Sequence, residues 1–241
     1  MDTEKIFPGL GETDPEFAQI FTNFAFGEAL DTLPELPPMD DSTRYLAILA
    51  TLLGCQGLGA FRLMLPLALD GGLAPVEVKE AVYQAAAYLG FGRMLPFLDA
   101  VNEELTRRGI ALPLEPQGTV EPEQRREAGN QVQVEAFGEG LRESWKQGPK
   151  EKRHINSWLA SNCFGDYYTR KGLSLPQREM ITFCFLAAQG GCEPQLTAHA
   201  RANMAVGNDR LFLIQVVSQC LPYIGYPRSL NALNCIENAS K

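Results

Sequence analysis

Histidine is scarce in this chain: His154 and His199 are the only two among 241 residues. Basic residues are outnumbered as well, 21 Lys and Arg against 29 Asp and Glu, giving a net charge of -8 and a pI of about 4.9. That deficit argues against a phosphate-backbone binder, which depends on clustered Lys and Arg, so no nucleic-acid partner is expected. The six cysteines (Cys55, Cys163, Cys184, Cys192, Cys220 and Cys235) form no Cys-x-x-Cys pair, and none stands at zinc spacing with a histidine. No metal site is therefore expected. The thiols read as reduced, most of them buried as small hydrophobes. The purest apolar run, Leu46–Leu53, falls far short of the ~20 residues that span a bilayer, so no membrane is expected. Met1-Asp-Thr-Glu-Lys5 has no basic start followed by an apolar run, which speaks against a secretory signal. The expected compartment is the cytoplasm. Strand signals are weak throughout.

What the chain does have is a repeat. Ala87-Tyr-Leu-Gly-Phe-Gly-Arg-Met-Leu-Pro-Phe-Leu98 aligns without a gap to Pro222-Tyr-Ile-Gly-Tyr-Pro-Arg-Ser-Leu-Asn-Ala-Leu233, 135 residues later. Tyr88, Gly90, Arg93, Leu95 and Leu98 recur as Tyr223, Gly225, Arg228, Leu230 and Leu233. A solenoid needs more copies than two, so the chain is read as a tandem pair of helical domains, residues 1–118 and 119–241. Gly109–Glu123, with Pro113, Pro116, Gly118 and Pro122, is the linker. Apolar spacing predicts helices over 14–30, from a cap at Asp41 to Leu53, 58–69, 75–88 and from after Gly90 to 107. A polar helix over 122–145 follows the linker, and the second copy repeats the pattern from a capping box at Ser174 and Gln177.

The second copy resembles the carboxymuconolactone decarboxylase and alkylhydroperoxidase D superfamily. The resemblance rests on Phe164-Gly-Asp166, Arg170-Lys-Gly-Leu173, Arg178-Glu-Met-Ile-Thr182, His199, Gly207 and Tyr223 to Leu233, all in family order. It covers about 162–239 well and 24–105 weakly. It implies an all-α fold built as two tandem alkylhydroperoxidase D-like helical domains, each with a central helical hairpin. It also implies oligomers, and for a fused pair a homotrimer.

Cys192, Gln195 and His199 stand at i, i+3 and i+7 of one predicted helix, which puts them on one face. Cys192 lies near the helix N-terminus, where the dipole favours a thiolate. His199 suits proton transfer near neutrality, and Glu179 on the preceding helix could orient it. In the peroxidase branch of the superfamily a Cys stands where this chain has Gln195, and glutamine cannot condense with a sulfenic acid. In the decarboxylase branch a Glu commonly stands there. Loss of carbon dioxide from such a lactone requires no metal or organic cofactor, so none is implied. The first copy carries Gly57, Ala60 and Met64 in place of Cys192, Gln195 and His199, and Arg44 in place of Glu179. Tyr88 and Tyr223 read as core residues with bonded hydroxyls, Arg93 and Arg228 as residues fixing a helix entry or a subunit contact, and His154 as a surface residue.

The expectation is one site per chain, made of His199, Cys192, Glu179 and Gln195. Its chemistry would be acid–base, of decarboxylation type, on a small unsaturated lactone or carboxylic acid. A thiol peroxidase using Cys192, or a binding or assembly module without catalysis, are the alternatives.

Overall fold

The computed structural model describes residues 6, 7, 9–30 and 37–241; the N-terminal stretch read for a secretory signal lies outside them. All regular structure among these residues is helical. After a single turn at Leu10–Thr13, the first repeat comprises α1 (Pro15–Ala25), α2 (Asp41–Gly54), α3 (Leu58–Asp70), α4 (Pro75–Leu89) and α5 (Phe91–Arg107). The linker is followed by α6 (Arg125–Phe137) and α7 (Arg153–Trp158), which runs on as a π-helix, Leu159–Tyr168. Then come α8 (Leu175–Gln189), α9 (Glu193–Ala205) and α10 (Arg210–Ala239).

The repeat is written into the backbone as well as the sequence. Gly90 ends α4 at φ 85° and ψ 151°, and Gly225 interrupts α10 at φ 75° and ψ 169°. Both conformations are open to glycine and closed to most side chains. The same break therefore separates α4 from α5 and divides α10 in two.

Several helix ends differ from the sequence expectation. Asp40, not Asp41, caps α2, its Oδ1 accepting from Thr43 N at 2.9 Å. Asp40 has the extended backbone a cap needs, whereas Asp41 is already helical. The first helix stops at Ala25 rather than Leu30. The polar helix stops at Phe137 rather than Trp145, because Gly138 turns to φ 95°. The capping box at Ser174 holds: Ser174 N donates to Gln177 Oε1 at 2.9 Å and Gln177 N to Ser174 Oγ at 3.4 Å.

Helices α2 and α8 pack on each other at the centre. Every residue of α2 from Arg44 to Gly54, and of α8 from Arg178 to Ala188, is buried. A helix apolar on all sides has to lie inside, and the run Leu46–Leu53 supplies that for α2. One apolar core draws on both repeats.

Helix α4 of the first repeat and α10 of the second each reach across to the other repeat. Helix α4 lies on α8 and the π-helix, and α10 lies on α1 and α2. A buried polar cluster fixes the first crossing. Arg178 on α8 donates to Glu80 Oε2 at 3.0 Å and to Gln84 Oε1 at 2.9 Å, both on α4, and Arg170 also pairs with Glu80. Removing one partner of such a buried pair leaves an uncompensated charge, which is why it sets position firmly. Arg93 and Arg228 tie the helices that follow the glycine breaks to the end of α8, through Gln189 Oε1 and the Ala188 carbonyl.

Candidate functional site

Helices α8 and α9 form a hairpin, and Asn203 pins it. Its Nδ2 donates to the carbonyls of Glu179 and His199, at 2.9 and 2.8 Å, while its own Oδ1 accepts from Asn208. With the two backbones held in register, Glu179 Oε2 meets His199 Nδ1 at 2.7 Å. Glu179 is fully buried and His199 only 8% exposed. Glu179 Oε1 is buried with no hydrogen-bond partner among the described residues.

Binding Nδ1 to a carboxylate decides what the other nitrogen can do. Paired with an ionised carboxylate, Nδ1 carries the proton, so neutral His199 then presents a bare Nε2 as a base, and the imidazolium presents Nε2–H as an acid. Nε2 has no protein partner among the described residues. His199 lines a cavity of about 250 Å³ together with Tyr88, Gln133, Phe137, Leu159, Phe164 and Gln195, among others. Tyr88 and Phe137 pack against the imidazole ring in T-shaped arrangements, at centroid distances of 5.6 and 5.1 Å.

The rest of the wall is apolar apart from three groups. Gln195 sits exposed at the rim. Gln133 is buried, and its Oε1 accepts from Asn130 at 2.9 Å. That leaves its amide N–H groups as donors without a protein partner among the described residues. Tyr88 OH bonds to Tyr168 OH at 2.8 Å, and Tyr168 OH in turn to Thr182 Oγ1 at 2.7 Å. Burial pushes both phenols well above the usual tyrosine range, so both stay neutral. Behind them burial pushes the Cys163 thiol up to about 12.

Of the four residues expected at the site, three meet and one does not. Gln195 and His199 share the cavity, with Glu179 behind the imidazole. Cys192 is not on the wall. It precedes the first turn of α9 as the N-cap, with φ -138°, so the helical spacing that would align it with Gln195 does not apply. Its Sγ points back to the Leu186 carbonyl at 3.4 Å. The expected low thiol pKa is overturned too: burial raises it, with nearby Glu193 adding to the effect.

Several wall residues were not singled out from the sequence. Tyr88, which the sequence reads as core, has its hydroxyl bonded as expected, but it also lines the cavity. Gln133 and Phe137 lie on the polar helix α6, whose buried stripe is short. Asn203 carried one legible signal, its place four residues after His199 on the same face. His154 is exposed at the surface, against Trp158 at 4.9 Å.

The sequence profile of the carboxymuconolactone decarboxylase family matches residues 15–103 and again residues 155–238. The chain belongs to that family. No match was found among curated proteins. As a carboxymuconolactone decarboxylase family member it holds two family segments in one chain, and the cavity of the second segment is walled by Tyr88 from the first. Among the described residues, no group of three His, Cys, Asp or Glu side chains is disposed to hold a metal ion, and no helix is long and apolar enough to cross a membrane.

Proposed function

We propose that His199 is the proton-transfer group of an acid–base enzyme acting on a small unsaturated lactone or carboxylic acid, with decarboxylation as the reaction type. One observation carries the reading: a histidine held at Nδ1 by a buried carboxylate, with its other nitrogen free at a small, largely apolar cavity. In the proposed step the substrate's C–COO⁻ bond breaks and carbon dioxide leaves. The electron pair moves into the conjugated carbonyl as an enolate, whose oxygen takes hydrogen bonds from the Gln133 and Gln195 amides. Imidazolium Nε2–H returns a proton to carbon, and solvent reprotonates the ring. The buried Glu179 carboxylate compensates the imidazolium in that state.

The apolar wall supports this chemistry in a second way. Among the described lining residues there is no Lys or Arg. A carboxylate in such a cavity would be poorly solvated, and its loss as neutral carbon dioxide relieves that cost. The thiol-peroxidase reading draws less support, since Cys192 lies off the wall with a raised pKa. We also propose a cytoplasmic setting, in keeping with six unpaired thiols, and assembly of the chain as a homotrimer.

The test is carbon dioxide release, or deuterium incorporation from heavy water, across a panel of carboxylated unsaturated lactones. Removal of a general acid typically costs about 10²–10⁴ in rate, so His199→Ala should lose activity on that scale while folding normally. A His199→Ala enzyme with undiminished turnover would end the proposal.

A further inference from the structure

The first repeat has a cavity at the position equivalent to that of the second. It measures about 300 Å³ and is walled by Phe17, Phe21, Leu52, Ala60, Met64 and Tyr223, among others. The 135-residue offset maps Gln195 to Ala60, His199 to Met64 and Tyr88 to Tyr223. Where the second repeat has Gln195 and His199 the first has a methyl and a thioether, yet among the described residues the space is open rather than filled. An unfilled apolar hollow costs stability, because the surrounding side chains lose packing contacts. A repeat serving only as scaffold would be more stable with larger side chains there.

We infer that this cavity is a second ligand site, selective for an uncharged, apolar, naphthalene-sized molecule. The inference does not rest on the reading of His199. Its polar groups are already engaged: Tyr223 OH donates to Met64 Sδ at 3.4 Å and Cys55 Sγ to the Leu52 carbonyl at 3.7 Å. Among the described lining residues none is charged. Arg44, at the register of Glu179, stacks on Tyr45 at 4.4 Å instead of joining the wall. Water entering such a space finds few partners, whereas an apolar guest gains contacts without breaking hydrogen bonds. An anion would lose its hydration and find no charged group on the described wall in return. Phe17 is 59% exposed while lining the cavity, so the opening lies beside α1.

The test uses phenylnaphthylamine, an uncharged fluorophore, and its sulfonated analogue, anilinonaphthalene sulfonate. Gln195→Trp blocks the second cavity at its rim, which leaves the first as the cavity under test. In that background the uncharged probe should bind saturably at one site per chain. Adding Ala60→Trp should weaken it by about tenfold or more, roughly 1.4 kcal/mol, and the sulfonate should bind correspondingly more weakly. Circular dichroism and a thermal melt establish that each variant is folded. Crystals of the unaltered protein under xenon give an independent readout, with xenon density expected against Met64 and Tyr223. No saturable binding in Gln195→Trp, equal binding with Ala60→Trp, preference for the sulfonate, or a xenon-free cavity would each overturn the inference.

Discussion

A free imidazole presents either nitrogen to a reaction. His199 does not, because its Nδ1 is engaged by Glu179, which leaves Nε2 to the cavity, and Asn203 fixes the two backbones that carry the pair. Cys192 shows the opposite case, a reactive side chain type in an unreactive setting. Desolvation holds its thiol above the ordinary range, so less of it is thiolate at neutral pH than for a free thiol. Alkylation of Cys192 by iodoacetamide at pH 7 should therefore run slower than alkylation of glutathione. Its rate should keep climbing at pH values where glutathione has already levelled off. A Cys192 rate at or above that of glutathione, read by peptide mass spectrometry, would contradict the burial argument. These two residues also mark how far the sequence could be read. The separation of Gln195 and His199 is a helical one, and periodicity gives it directly. Cys192 sits one residue before the helix, where side-chain direction depends on a cap dihedral that spacing does not carry.

Among the elements, the π-helix and α6 do most to enclose the cavity, supplying Leu159, Phe164, Gln133 and Phe137. They approach closely because Gly129 and Gly165 face each other across the contact. A Cβ built on Gly129 would stand 2.8 Å from Gly165 Cα and closer still to the Ala160 carbonyl. Alanine in place of glycine inside a helix ordinarily stabilises by roughly 0.8–1 kcal/mol. Here the sign should reverse. Gly129→Ala should lower the thermal midpoint and, by displacing α6, weaken binding in the His199 cavity. A Gly129→Ala protein as stable as its parent in a denaturant melt would show the contact to be looser than described. The helical fold and most helix ends were legible because Gly, Pro and capping residues punctuate them. The π-helix was not, since its extra residue per turn leaves no lasting period in ten residues. The role of α6 was hidden by its polar composition, which reads as a solvated helix until its partner is known.

At the scale of the whole molecule, the repeat leaves the same apolar pair exposed twice. Phe91 and Tyr226 are 64% and 62% exposed, each followed four residues later by an exposed leucine, Leu95 and Leu230. Exposed apolar faces on a folded chain point to an association surface, and these support the proposed homotrimer. Light scattering should give the mass of three chains for the parent and a lower mass for Phe91→Glu with Tyr226→Glu. A monomeric parent protein would refute it. The crossing of α4 and α10 has a further consequence. Since Tyr88 walls the cavity of His199 while Tyr223 walls the cavity of Met64, neither half holds a complete chamber of its own. Splitting the gene between the two halves would deprive both, and the copy without a histidine stays indispensable as the other's masonry.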